Sequence, residues 1–303
     1  MLENIHRYMK LGIVHFMAYP ETMKGTGPIL ESVLALARDD YFDAIEVTWI
    51  QDDQVRKAVR DNLATARMQV AYGAQPRLLT TGMNINDLNE DNRQAAVRSL
   101  KAGIDEACYL NATGFAFLAG KYAEDSKEDS FEALVRSTGE LCAYAREKGD
   151  LRVVLEVFDY DIDKKSLIGP AELARRFAAR MREQYDNFGL MVDLSHIPMI
   201  HETIEEHILP LREYIVHAHI GNTVIRDPSM AAYGDVHPRF GFPNSENDVA
   251  EIAAYLKLLL DIGFLNTKNR PIVSFEVKPW GDESPAMVIA NAKRTLNQAW
   301  MLV

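Results

Sequence analysis

The sequence predicts a (β/α)8 TIM barrel of eight parallel strands with outer helices, and three observations predict it. Short apolar runs alternate in strict order with longer amphipathic stretches, and there are eight of each. The turn after the first run, AYPETMKGTG, lacks the GxGxxG fingerprint that an open dinucleotide-binding sheet needs. No Pro/Ser/Gly-rich linker divides the chain, so a single domain over residues 1–303 is expected.

The predicted strands are Gly12–Met17, Ala44–Thr48, Gln69–Tyr72, Gly114–Leu118, Arg152–Phe158, Gly189–Leu194, Tyr214–Ile220 and Pro271–Val277. Each is flanked by polar, Gly or Pro residues, and most are rich in Val, Ile and Phe, as strands buried on both faces should be. The predicted helices are Pro28–Arg38, Asp52–Ala66, Asp87–Leu110, Asp129–Lys148, Pro170–Tyr185, Glu202–Arg212, Asn247–Ile262 and Pro285–Trp300. Pro at an opening turn and Gly149 or Gly263 just past an end mark several of these boundaries.

Composition narrows the function. With 44 acidic against 33 basic residues the chain carries a net charge of −11, which argues against a nucleic-acid backbone as partner. No apolar run approaches the roughly 18 residues of a membrane span, and the N-terminal stretch lacks a long apolar region after a basic start. Cys108 and Cys142 both fall in predicted helices with no metal or disulfide spacing, so a reducing, cytoplasmic compartment is the expectation.

In a barrel the chemistry collects where strands end. The fifth strand reads VVLEVFDYD, with Glu156 among apolar residues; the sixth reads LMVDLSH, with Asp193 near its end and His196 three residues on. The seventh, YIVHAHIGN, turns His217 and His219 to one face by its period of two, and the eighth, PIVSFEVKPW, carries Glu276. An ion-pair network is the alternative to a site, but Arg152 and Lys278 can satisfy one carboxylate and hardly three. Carboxylates converging in a low dielectric repel one another, so something cationic belongs between them. A hard divalent ion held by oxygens and one imidazole meets that need.

Glu on strand five, Asp-x-x-His on strand six, His-x-His on strand seven and Glu on strand eight resemble the xylose-isomerase-like TIM barrels. Within that superfamily the pattern looks like the sugar-phosphate isomerase/epimerase group, which includes the ketose 3-epimerases. The resemblance implies one divalent metal ligated by Glu156, Asp193, His219 and Glu276, with Mn²⁺ expected first and Mg²⁺, Co²⁺ or Zn²⁺ compatible. It implies that Glu156 and Glu276 also serve as acid and base, and that His196 bonds a substrate oxygen. The implied activity is isomerisation or epimerisation of a sugar, sugar phosphate or keto-sugar, by proton transfer next to a carbonyl through a metal-stabilised enediolate. Where the epimerases place a substrate-binding Arg this chain has Ile225, and its neighbour Arg226 becomes the candidate.

Two other activities stay open on the same barrel. One is a lyase subunit that cleaves 3-oxo C-glycosides by β-elimination with a small partner subunit; the other is an abasic-site phosphodiesterase, which the acidic charge disfavours. Related barrels also suggest a homo-oligomer. Further substrate-binding candidates are His15, read in the first strand, Trp280 past the eighth, and His237 in the long loop from Gly221 to Ser245. Glu46, read in the second strand, also faces the mouth, whereas Lys164 and Lys165 read as solvent-facing.

Overall fold

The computed structural model describes residues 3–303. Its strands are β1 (Lys10–Ile13), β2 (Ala44–Val47), β3 (Gln69–Gly73), β4 (Ala112–Leu118), β5 (Arg152–Glu156), β6 (Phe188–Asp193), β7 (Ile215–Gly221) and β8 (Ile272–Glu276). They form one parallel sheet in the order β1-β8-β7-β6-β5-β4-β3-β2. Its two ends meet through a bridge between Val14 and Glu46 and a hydrogen bond from Asp43 N to Leu11 O at 2.8 Å. The sheet is therefore a nearly closed (β/α)8 TIM barrel, as the alternation of runs predicts.

The helices are α1 (His15–Ala18), α2 (Ile29–Ala37), α3 (Asp53–Thr65), α4 (Gln75–Leu79), α5 (Glu90–Tyr109), α6 (Lys127–Lys148), α7 (Ala171–Arg182), α8 (His196–Met199), α9 (Ile204–Leu211), α10 (Val249–Asp261) and α11 (Pro285–Trp300). Their ends follow local chemistry. The Asp52 carboxylate accepts from Gln54 N and Val55 N at the start of α3, and Asp248 and Glu251 form a reciprocal cap on α10. Past α6 and α10 the chain turns through Gly149 at φ 144° and Gly263 at φ 76°, conformations that favour glycine.

Each outer helix buries one stripe against the barrel. In α7 the buried residues are Ala171, Ala174, Phe177, Ala178 and Met181, the spacing of one helical face. Phe177 meets Phe131 of α6 and Phe188 of β6 edge-on, at centroid distances of 5.7 and 5.6 Å. Truncating such a side chain to Ala costs about 3–5 kcal/mol, so this contact ties two helices to the sheet.

The strands' other face lines the barrel axis. Alternate residues share a face, so β5 presents Arg152, Val154 and Glu156 in ascending order, while β7 presents Ile215, His217 and His219. Register then sets the upper layer: Glu156 lies opposite Met191, Asp193 opposite His219, and Gly221 opposite Glu276. Small apolar side chains fill the axis below, including Ala116, Val154 and Met191.

The first strand corrects the sequence reading. The apolar run predicts a strand over Gly12–Met17, but pairing with β8 begins at Lys10 and ends at Ile13, and His15 opens α1. An apolar run of this length fits strand and helix equally, and tertiary pairing decides.

Candidate metal centre

Four groups meet at the upper end of the axis. Glu156 ends β5, Asp193 ends β6, His219 lies near the end of β7 and Glu276 ends β8. One ligating atom from each lies within 4.8 Å of all the others, and all four residues are buried. His219 Nδ1 is 2.6 Å from Glu276 Oε2, 3.4 Å from Glu156 Oε1 and 3.9 Å from Asp193 Oδ2.

Two of these oxygens are orphans. Glu156 Oε1 and Asp193 Oδ2 are buried without a hydrogen-bond partner among the described residues. Buried carboxylate oxygens are costly when unpaired. Their second oxygens are already satisfied: Glu156 Oε2 accepts from Gln75 Nε2 at 2.6 Å, and Asp193 Oδ1 accepts from Ser195 N at 2.7 Å. Three carboxylates and one imidazole aimed at a common point fit a hard divalent cation.

Protein groups behind the cluster fix its orientation. Glu46 Oε1 on β2 reaches across the axis to His219 Nε2 at 3.0 Å and to His217 Nε2 at 2.7 Å. The Nε2 bond to Glu46 turns the ring so that Nδ1 faces the three carboxylates. Burial pushes the Glu46 carboxyl up, but His217 and His219 beside it win and hold it well below the usual carboxylate range. Burial alone would discharge His219, yet Glu46 and Glu276 hold its pKa well above that of free histidine. For Glu276 burial prevails over His237 and His219, and its carboxyl is pushed up to about 7.

A second polar group flanks the first. Asp235, in the loop after β7, bonds His237 Nε2 at 2.6 Å, His196 Nε2 at 3.1 Å and Lys164 Nζ at 2.8 Å. Burial opposes charge on both histidines, but the acids around them hold His196 at about 10 and His237 at about 9. His237 Nδ1 lies 3.3 Å from Ser195 Oγ, and Nε2 lies 3.6 Å from Glu276 Oε1. Gly221 permits this approach: a Cβ there would stand 2.9 Å from His237 Nδ1 and 3.1 Å from Asp193 Oδ1.

A cavity of about 200 Å³ opens over the cluster. Its polar lining is Glu46, Gln75, Glu156, His219, Glu276, Lys164, Asp235 and Lys278. The remaining lining is apolar, with Phe16, Met17, Met23, Leu79 and Phe158 prominent.

Residues 34–291 match the family described as "Xylose isomerase-like TIM barrel". The chain belongs to the xylose isomerase-like TIM barrel family. Similar solved structures include D-psicose 3-epimerase with D-tagatose from Clostridium cellulolyticum H10, at 17% identity, 97% of this chain, 96% of that chain and a TM-score of 0.67. The E. coli 3-keto-D-glucoside 4-epimerase YcjR is 15% identical over 97% of this chain and 98% of that chain, with a TM-score of 0.65. The IOLI protein, described with a binding zinc atom, is 17% identical over 97% of this chain and 99% of that chain, with a TM-score of 0.70. At these identities the likeness is one of fold. Comparison with curated protein sequences gives no match.

On this xylose isomerase-like barrel, the sequence candidates divide by position. Glu156, Asp193, His219 and Glu276 come together, and His196 and His237 stand beside them. His196 has both ring nitrogens engaged by protein, Nδ1 donating to Val157 O at 2.9 Å and Nε2 meeting Asp235. His15 is not brought to the cavity: it is buried under α2, with Nε2 2.8 Å from Ser32 Oγ. Arg226 is exposed and pairs with Glu246 at 2.9 Å. Trp280 packs edge-on against Phe242 at 6.0 Å and is not among the residues lining the cavity.

Three neighbours of the cluster escape a reading by strands. Gln75, Lys164 and Asp235 all sit in loops or short helices of this xylose isomerase-like chain. Lys164 is drawn inward rather than left in solvent. The buried Asp159 carboxylate accepts from the backbone N–H groups of Ile162, Asp163 and Lys164, curling the loop so that the ammonium meets Asp235. The acid-rich turn DYDIDKK is the sequence signal for that curl.

Proposed function

We propose that this chain is a divalent-metal-dependent sugar isomerase or epimerase that moves a proton next to a carbonyl. The carrying observation is the convergence of four ligating atoms from four consecutive strands, two of them orphaned carboxylate oxygens, at the floor of a sugar-sized cavity. Glu156, Asp193, His219 and Glu276 hold the ion in this reading, and Mn²⁺ is the ion we expect. When bound, it supplies Lewis-acid polarisation of a substrate carbonyl, which acidifies the adjacent C–H.

The protein's own groups do the rest. Gln75 engages one oxygen of Glu156 and leaves the other, Oε1, for the ion. Glu276, the second glutamate of the cluster, is the carboxylate placed to take and to return a proton across from Glu156. With one glutamate on β5 and the other on β8, two carboxylates address one carbon from different sides. His196 and His237, both bonded to Asp235, stand behind Asp193 and Glu276 and hold positive charge close to those two carboxylates. Glu46 keeps His219 in the tautomer whose Nδ1 faces the cluster.

The sugar epimerases among the similar structures support a carbohydrate substrate, and 3-keto-D-glucoside 4-epimerase supports a keto-glycoside as one form of it. One observation favours a second reading, a lyase acting on 3-oxo C-glycosides: the apolar wall of Phe16, Met17, Met23, Leu79 and Phe158 suits an aglycone better than a free sugar. The deciding experiment incubates metal-stripped and Mn²⁺-loaded protein in D₂O with D-psicose, L-ribulose, a 3-keto-glucoside and an aryl 3-oxo C-glycoside. Metal-dependent deuterium entry next to the carbonyl is the expected result. Aglycone release without exchange into any released or free sugar selects the lyase, and neither exchange nor aglycone release with any of the four rejects both.

A further inference from the structure

A broad concavity lies at the other end of the barrel. It measures about 570 Å³ and opens where the strands begin, far in sequence register from the acids at their ends. Alternation along the strands explains its character. The face of β5 that ends in Glu156 starts at Arg152, and Arg270 stands just ahead of β8, which ends in Glu276. Lys10 opens β1 and Arg212 precedes β7, so the axis is acidic at one end and basic at the other.

These four cations face a single acid of the lining, Asp150. Their pairing is thin in a chain with an excess of carboxylates. The Lys10 ammonium donates to the Gln69 amide, and Arg212 donates to the Leu209 carbonyl at 3.3 Å. Arg152, exposed at the start of β5, has no carboxylate within 4.0 Å among the described residues. Arg270 shares Asp43 with His6, and its Nε is buried without a partner. By contrast Arg56, Arg77 and Arg93, on the flank of the barrel, each bond a carboxylate.

We propose that this lower concavity binds a small dianion, a phosphate monoester with a compact apolar body. Lys10, Arg152, Arg212 and Arg270 supply charge and forked donors that suit a dianion better than a monocarboxylate. Val154, Ile215 and Ile272 in the lining take the apolar part. His217 closes the floor and touches Glu46 above it, so the bound anion lies one hydrogen-bonded chain away from His219. This site is separate from the metal cluster and stands whether or not the proposed reaction is right.

Calorimetry on metal-stripped protein with phenyl phosphate, at constant ionic strength, tests it. Binding with one site per chain is expected, at least tenfold tighter than benzoate. The double variant Arg152→Gln/Arg212→Gln, which removes two side chains that no carboxylate holds, is expected to lose tenfold or more in affinity with an unchanged melting temperature. Glu156→Gln, at the opposite end, is expected to bind as the parent does. Absent saturation, equal affinity in the double variant, or loss of binding in Glu156→Gln each overturns the site.

Discussion

Gln75 Nε2 donates to Glu156 Oε2 at 2.6 Å, and that bond determines which oxygen of Glu156 is left for chemistry. The remaining Oε1 lies 3.4 Å from His219 Nδ1 with no hydrogen-bond donor satisfying it among the described residues. Gln75→Leu leaves the rear oxygen buried and unpaired and frees the carboxylate to turn. Metal affinity is expected to fall about 10- to 100-fold, the usual cost of removing a group that orients a ligand. Titration with Co²⁺ followed by its visible spectrum measures this; parent-like affinity would leave Gln75 as packing only.

Glu276→Gln keeps the shape of the side chain and removes its proton chemistry. Turnover is expected to drop about 10²- to 10⁴-fold, while circular dichroism stays that of the parent. Near-parent turnover would remove Glu276 from the reaction.

Adding the metal should stabilise the fold. At a hundredfold excess over Kd a site present only in the folded state contributes about 2.7 kcal/mol. With about 2.1 cal/mol/K of unfolding entropy per residue, that is a rise of roughly 4 °C for this chain. Scanning calorimetry with and without chelator reads it, and an unchanged melting temperature with Mn²⁺, Co²⁺ and Zn²⁺ alike would argue against the cluster as a metal site.

Glu46→Leu removes the acceptor for His219 Nε2 and for His217 Nε2 at once. Metal binding is expected to weaken about 10- to 100-fold, and Glu46→Gln, which keeps an accepting oxygen, should recover most of the loss. If Gln behaves as Leu does, the carboxylate's charge rather than its hydrogen bonds is what matters.

His15 makes stability depend on acid. Burial lowers its pKa to about 3 in the folded chain, against about 6.5 when unfolded. Its contribution is complete above pH 6.5. As pH falls from 6.5 toward 3, the unfolded chain gains a proton that the folded one refuses, and stability drops by up to about 1.4 kcal/mol per pH unit. In His15→Gln that dependence disappears, so parent and variant should converge between pH 6 and 5 in urea titrations. A constant gap over that range would contradict it.

Strand periodicity makes the barrel and its three central acids and one imidazole readable, because a closed parallel sheet forces alternate residues inward at matched heights. Glu156, Asp193, His219 and Glu276 needed no loop to be placed. Loops were another matter. Asp235 meets Lys164, His196 and His237 only through the path of the loop after β7, which no local pattern encodes. Position along the chain says little about where a loop side chain such as Arg226 or Trp280 points, and Arg226 turns to Glu246. His15 was lost with the register of β1, since an apolar run bounded by no breaker does not say where pairing stops.

The bridge between Val14 and Glu46 gives one residue two duties: its backbone shuts the ring and its side chain steadies the imidazole across the axis. A folding chain whose first and second staves have not yet met can own every acid of the centre and still lack a working one. Competence should thus arrive with the last seam rather than accumulate strand by strand.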